Sequence, residues 1–146
     1  MNDADSKAQP TEREFQEKIA TYRLLESRVD ALARQQDAFV SKVAEINSTL
    51  AGIDEAAKSP ADAMVPLGTA VYARGSVNGK AKLLVEVGAG VAVERTADEA
   101  KAILETRRKD LEQAIETLQK DMQTVVAMLQ RIESEAQAMM KASGQR

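Results

Sequence analysis

The sequence predicts an α+β protein in which two long helices flank one small β element. Two observations predict this class. Residues 11 to 51 and 91 to 143 contain neither glycine nor proline, and their apolar residues alternate at steps of four and three. Residues 65 to 95 hold five of the seven glycines and the short alternating apolar stretches that are typical of strands.

Composition argues against a compact globule and against most kinds of catalytic site. The 146-residue chain fits one domain, but 29% of its residues are charged and only 3% are aromatic, which suits long solvated helices better than a single core. It has no Cys and no His, which excludes disulfides, ordinary zinc sites and catalysis by Ser-His or Cys-His pairs. We therefore expect a protein that is not an enzyme and has no cofactor and no metal.

Charge and hydropathy limit the partners and the location. A net charge of −3 gives no support for nucleic acid or an anionic membrane as a partner. The sequence has no run of about 18 apolar residues that could span a bilayer, and its start does not resemble a signal peptide. We expect a soluble, cytoplasmic protein.

The first helix is predicted over residues 11 to 57, after a polar, disordered tail at residues 1 to 10. Thr11 followed by Glu14 has the spacing of a capping box, which marks a helix start. Six heptads follow, and all of their a and d residues except Lys18 and Gln36 are large apolar residues or Tyr, which favours a coiled-coil helix. The a positions are Phe15, Tyr22, Val29, Gln36, Val43 and Leu50, and the d positions are Lys18, Leu25, Leu32, Phe39, Ile46 and Ile53.

The middle of the chain, residues 64 to 95, is predicted to form short strands. Residues 58 to 64 are a linker, and residues 65 to 68 are a short extended piece with a turn. Residues 69 to 77 and 83 to 87 alternate between two faces, and residues 91 to 95 form a last strand.

Two turns are predicted within this stretch. Asn78-Gly79 favours a hairpin turn because both residues tolerate positive φ, and residues 88 to 90 (Gly-Ala-Gly) form a second turn. Three or four strands would then make one or two hairpins, which are only marginally stable alone. Their edges invite pairing with another chain, so we expect this element to be the surface where several subunits close a sheet or barrel.

The second helix is predicted over residues 97 to 142, with Thr96 as the N-cap and Glu99 completing a capping box. Asp98 and Glu99 also suit the positive end of the helix dipole. All of its heptad positions except Arg108 and Ala136 are large and apolar. The d positions are Leu104, Leu111, Leu118, Val125, Ile132 and Met139, and the a positions are Arg108, Ile115, Met122, Leu129 and Ala136. An antiparallel helical hairpin would satisfy both apolar seams.

Two glycine-rich stretches resemble nucleotide-binding loops but lack required features. Residues 87 to 93 have Val93 where a dinucleotide fingerprint has its third glycine, and a strand follows instead of a helix. Residues 75 to 80 are one residue short of a phosphate loop, and Ala81 stands where Ser or Thr would bind Mg²⁺. Both are better interpreted as turns.

The ends of the two helices that lie nearest the chain termini carry an apolar fringe of nine residues, which we call the tip residues. They are Phe15, Ile19, Tyr22, Leu25, Met128, Leu129, Ile132, Met139 and Met140. The heptads favour an ordinary seam role for Leu25, Leu129 and Ile132. Ile19, Met128, Met139 and Met140 fit either a seam role or a binding role, because Met adapts to irregular apolar partners.

Residues 64 to 68 (MVPLG) and 84 to 91 (LVEVGAGV) between two such helices closely resemble the alpha subunits of archaeal prefoldin. The resemblance extends from about Phe15 to Met140. It implies a long antiparallel coiled-coil helical hairpin with two short β-hairpins at the helix junction, which join a β-barrel platform in the oligomer. The residues that would assemble the platform are Val65, Leu67, Val71, Tyr72, Leu84, Val85, Val87, Val91 and Val93.

The resemblance also implies a function. It is that of a hexameric, ATP-independent co-chaperone with two alpha and four beta subunits. Its coiled-coil tips hold unfolded proteins and pass them to a group II chaperonin. The alternative is a structural coiled-coil tether or spacer that oligomerises through its β element and binds no client.

Overall fold

The computed structural model describes residues 11 to 144, and the predicted tail at residues 1 to 10 lies outside them. The α+β class with two long helices and two small hairpins is confirmed. The elements in chain order are α1 (Glu12–Ala57), β1 (Ala63–Gly68), β2 (Val71–Gly75), β3 (Leu83–Gly88), β4 (Val91–Arg95) and α2 (Ala97–Gly144).

Each helix begins at the capping threonine that the sequence indicates, but the two caps differ. At Thr11 the box is reciprocal: the Glu14 N–H donates to Thr11 Oγ1, and the Thr11 N–H donates to Glu14 Oε2, both at 3.3 Å. At Thr96 only the first bond forms, from the Glu99 N–H at 3.2 Å. The Glu99 carboxylate lies 3.7 Å from Arg95 Nε instead, so the second box is half formed.

The chain divides into two compact units. One, which we call the terminal unit, comprises Met1–Ala38 and Ile115–Arg146, and the other, the hairpin unit, is Phe39–Ala114. In both units a stretch of α1 packs against an antiparallel stretch of α2. All of the predicted a and d positions are half-buried or buried, including the two polar ones in α1.

In the terminal unit, the first part of α1 lies against the last part of α2. Leu32 and Leu118, both predicted d residues, are buried there. Lys18 breaks the apolar pattern at a d position, and its Nζ donates to Glu135 Oε2 at 2.5 Å. Its aliphatic stem can therefore occupy the seam while its charged group has a partner on the opposite helix.

In the hairpin unit, the last part of α1 lies against the first part of α2. Lys101 Nζ donates to Asp54 Oδ1 at 2.8 Å, and the Arg108 guanidinium donates to Asn47 Oδ1 at 2.8 Å. Arg108, the polar seam residue of α2, therefore reaches across to a polar partner on α1. The Arg107 guanidinium donates to the Glu86 carbonyl at 2.7 Å, which attaches strand β3 to α2.

The four strands form two separate antiparallel hairpins, β1 with β2 and β3 with β4. Strand β1 starts at Ala63, so part of the predicted linker at residues 58 to 64 is already strand. Each hairpin has an irregular register next to its turn, and Ala70 and Ala89 in the turns have φ of 59° and 50°. The predicted turn at residues 88 to 90 does join β3 to β4.

The prediction of a hairpin turn at Asn78-Gly79 was wrong, because β2 pairs with β1 and not with β3. A turn does form there, since the Lys80 N–H donates to Asn78 Oδ1 and the Ala81 N–H donates to the Asn78 carbonyl. It is held by the end of α1 and not by a strand partner. The Val77 N–H donates to the Pro60 carbonyl, and the Gly79 N–H donates to Ser59 Oγ, both at 3.0 Å.

The close approach of residues 77 to 79 to the end of α1, which we call the docking of this connection, requires a glycine at position 79. The backbone angles of Gly79 do not require one. A Cβ atom at position 79 would lie 2.6 Å from the carbonyl oxygens of Ala56 and Ala57. These carbonyls belong to the last turn of α1, where backbone groups cannot move without disturbing the helix end. The connection between the hairpins can therefore approach the helix only through a residue without a side chain.

We expect Gly79→Ala to lower the free energy of unfolding by about 1–3 kcal/mol, because the added methyl group overpacks a backbone contact. Urea unfolding followed by far-UV circular dichroism measures the change. Gly52→Ala is the matched control, since Gly52 lies within α1 with nothing within 4 Å of its added Cβ. That change should stabilise by roughly 0.5–1 kcal/mol through helix propensity. A Gly79→Ala protein as stable as the wild type would contradict the docking.

Candidate functional site

Four of the nine tip residues line one groove of the terminal unit, which we call the terminal groove. They are Ile19, Tyr22, Ile132 and Met140. The groove has a volume of about 400 Å³. Its remaining lining residues are Lys18, Arg23, Glu26, Glu133, Ala136 and Gln137. The Met140 side chain is 59% exposed, so the groove offers a flexible thioether side chain to an incoming apolar group.

The other five tip residues do not join this groove. Phe15, Leu25, Leu129 and Met139 are half-buried at heptad positions. Met128 is 48% exposed but lies outside the lining. The structure therefore brings together residues from three different heptad positions (a, d and e) and leaves most of the seam residues in the helix contact.

Leu24 is an exposed apolar residue that the sequence analysis missed. Its side chain is 71% exposed, more than any of the tip residues. It falls at neither an a nor a d position, and a single exposed Leu is common on protein surfaces. The available signal was its place beside Leu25, which widens the apolar stripe of α1 as Met140 widens that of α2.

The charge at the rim of the terminal groove is largely compensated. The Glu135 carboxylate accepts hydrogen bonds from Lys18 and from Arg131, and Arg131 Nε lies 3.2 Å from Glu135 Oε1. These hydrogen bonds lower the pKa of the Glu135 carboxyl below its ordinary value of 4.5. Lys18 at the groove edge is thus paired. Arg23, Glu26 and Glu133 give the rest of the rim both signs of charge. The groove therefore has apolar walls and no strong electrostatic preference.

The hairpins carry a second set of exposed apolar residues. Seven of the nine predicted assembly residues are exposed: Val65, Leu67, Val71, Tyr72, Leu84, Val87 and Val91. Met64, which was not predicted, is exposed as well. Val85 and Val93 are half-buried cross-strand partners, and Val85 lies with Ile53 and Leu104 of the helices in a groove of the hairpin unit. Each hairpin thus exposes several large apolar residues, which is typical of surfaces that contact other proteins.

Residues 11 to 144 lack two further types of site. No cluster of three or more His, Cys, Asp or Glu residues there could hold a metal ion. Within the same residues, neither helix has a stretch that is apolar enough and long enough to cross a bilayer.

The family model for prefoldin subunits matches residues 25–142 of this sequence. The chain belongs to the prefoldin subunit family. It is 34% identical over 105 residues to prefoldin subunit alpha of Archaeoglobus fulgidus, covering 70% of this chain and 77% of the relative. It is 33% identical over 109 residues to that of Methanopyrus kandleri, covering 73% and 69%.

A solved structure agrees in fold. The chain of filamentous PFD from Methanocaldococcus jannaschii superposes with a TM-score of 0.69 at 19% identity, covering 82% of this chain and 98% of that one. The resemblance to archaeal prefoldin alpha subunits is thus confirmed, and with it the function of a prefoldin chaperone subunit. Prefoldins are non-enzymatic chaperones that form oligomeric assemblies.

The contribution of Glu135 to stability should depend on pH. Because its pKa is lowered in the folded state, the contribution is present at neutral pH and is lost as the pH falls below 4.5 through the folded pKa. We expect Glu135→Gln to lower the midpoint of thermal unfolding slightly at pH 7 and hardly at all at pH 3. Glu133→Gln, on the same helix, is the control and should cause a smaller loss. An equal loss at both pH values would contradict the assignment.

Proposed function

We propose that this chain is the alpha subunit of an ATP-independent prefoldin that holds non-native polypeptides in the terminal groove. The observation that supports this most directly is the apolar lining by Ile19, Tyr22, Ile132 and Met140, which is open to solvent. A shallow groove with an adaptable Met suits many unrelated apolar segments and selects none of them strongly.

The mechanism is multivalent. One shallow groove binds weakly, but several copies in one assembly raise the effective concentration for the next contact with the same client. Holding a client in this way requires no nucleotide, since no step needs chemical energy. Release follows when a group II chaperonin competes for the same client or the same grooves, and all of these steps take place in the cytoplasm.

Assembly uses the hairpins. The outward apolar residues of β1 to β4 are covered by prefoldin beta subunits, in a hexamer of two alpha and four beta subunits that closes a β-barrel platform. The exposed apolar faces of both hairpins support this assignment. So does the two-stranded form of each sheet, which leaves backbone groups available for a neighbouring strand.

A tether or spacer is the less favoured alternative. It would need the coiled coil and the assembly surface, but it would not need an apolar groove away from the hairpins. Membership of a chaperone family also favours the holding function over the tether.

The holding function is tested with the double variant Ile19→Gln/Met140→Gln in the assembled complex. Both residues lie outside the a and d positions, and Gln keeps the helix propensity. We expect light scattering of a chemically denatured client on dilution to show at least a twofold loss of protection, because the walls of the groove become polar.

The matched control is Leu24→Gln/Met128→Gln, which also changes one aliphatic residue and one Met in the terminal unit but lies outside the groove. It should protect like the wild type. If the control loses protection and the groove variant does not, the client site lies at Leu24 and Met128. Full protection by both variants would leave the tether as the better account.

Assembly is tested with Leu84→Glu, which puts a charge on the outward face of β3, where the Leu84 side chain is 72% exposed. We expect native mass spectrometry to show free subunits at concentrations where the wild type is fully assembled, since a charge buried at an interface is costly. Leu24→Glu is the control, because Leu24 is 71% exposed on α1 and lies outside the hairpins. Intact assembly of the Leu84→Glu protein would contradict the hairpin interface.

A further inference from the structure

Helix α2 carries a row of four glutamines on one face, which we call the glutamine stripe. They are Gln119, Gln123, Gln130 and Gln137. Their spacings of four and seven residues keep them on the same side of an α-helix. All four are exposed, and all four line grooves of the terminal unit, with Gln137 in the terminal groove and the others in a second one.

The second groove has a volume of about 620 Å³ and contains no charged residue. Its lining consists of Gln36, Gln119, Met122, Gln123, Val126, Ala127 and Gln130. In a chain with 29% charged residues, a lining made only of amides and apolar groups is distinctive. It offers the two kinds of group that match an unfolded chain, which presents peptide amides and apolar side chains together.

Among the described residues, the hydrogen-bonding capacity of the stripe is unused. Across residues 11 to 144, the side-chain amides of Gln119, Gln123, Gln130 and Gln137 have no protein partner. Each amide has two N–H donors and one carbonyl acceptor. By contrast, Glu135 on the same helix is bonded to both Lys18 and Arg131.

We propose that the glutamine stripe and the second groove bind an extended, uncharged segment of a non-native polypeptide. The segment lies along α2, its peptide groups hydrogen-bond to the stripe, and its apolar side chains contact Met122 and Val126. This inference rests on the proposed function and extends it, since it names the class of segment and a second surface that holds it.

A polypeptide suits this surface better than a second copy of the chain does. The only exposed large apolar residue in the second groove is Val126, at 39%. A stable interface between folded helices needs a larger apolar centre. The stripe runs along both grooves, since Gln137 lines the terminal groove and the other three glutamines line the second groove. A segment that leaves the terminal groove can therefore continue along the same helix face.

The test is the triple variant Gln123→Glu/Gln130→Glu/Gln137→Glu in the assembled complex. The probe is fluorescently labelled lactalbumin that has been reduced and carboxamidomethylated, so that it stays unfolded without added charge. We expect about tenfold weaker binding in a fluorescence anisotropy titration, because three acceptor-only carboxylates replace the amide donors and introduce uncompensated charge.

The matched control is Thr124→Glu/Ala138→Glu/Ala142→Glu, which adds the same charge at exposed positions of α2 that line neither groove and lie away from the stripe. It should bind within about twofold of the wild type. A second variant, Gln123→Ala/Gln130→Ala/Gln137→Ala, removes the amides without adding charge and should bind about threefold more weakly.

Three results would overturn the inference: equal losses in the triple variant and its control, unchanged binding by the Ala variant, or an altered subunit number in native mass spectrometry. The last would mean that the stripe contacts another subunit. If Ile19→Gln/Met140→Gln weakens binding and the stripe variants do not, only this inference fails. If Ile19→Gln/Met140→Gln leaves client binding unchanged, the proposed function itself fails.

Discussion

The apolar seam between α1 and α2 is the constraint on which the rest of the structure depends. In the terminal unit, the described stretches of α1 and α2 have only each other to pack against, so their a and d residues are mostly half-buried, and Leu32 and Leu118 are exceptions. Such a seam cannot fully bury the apolar residues that flank its a and d positions. The exposure of Met140 and the half-buried state of Ile19 therefore follow from the same geometry that forms the helix pair, and a compact globule would have covered both residues.

The helices could be predicted from the sequence because their signals are local. The capping threonines and the heptads act within a few residues of each helix, and the structure follows both. The Asn78-Gly79 turn could not be assigned correctly, because its place depends on Ser59 and on the last carbonyls of α1, about 20 residues away. Turn chemistry predicts that the chain reverses, but it does not say which strands then pair.

The types of residue that line the terminal groove could be predicted from the sequence, but the individual residues that line it could not. Four residues of the apolar fringe share the terminal groove, and their binding role stays a prediction. Whether a residue faces the seam or the groove depends on the side of the helix pair that it occupies, which a list of apolar residues does not resolve. The glutamine stripe was not predicted for a different reason. Its side chains are polar and uncharged, so neither the charge pattern nor the apolar heptads indicate them.

The two proposed binding surfaces lie on different kinds of element, and this gives them different chemistry. A strand has two faces, so β3 can place Val85 beside Ile53 and Leu104 of the helices and still leave Leu84 exposed on the opposite face. A helix in a pair has flanks where apolar, amide and charged residues mix, as they do around Tyr22 and Gln137. The first kind of surface suits a fixed partner of matching register, and the second suits clients that have no fixed structure. Because the terminal groove and the hairpins share no residue, we expect a substitution in either to change one proposed function and leave the other intact.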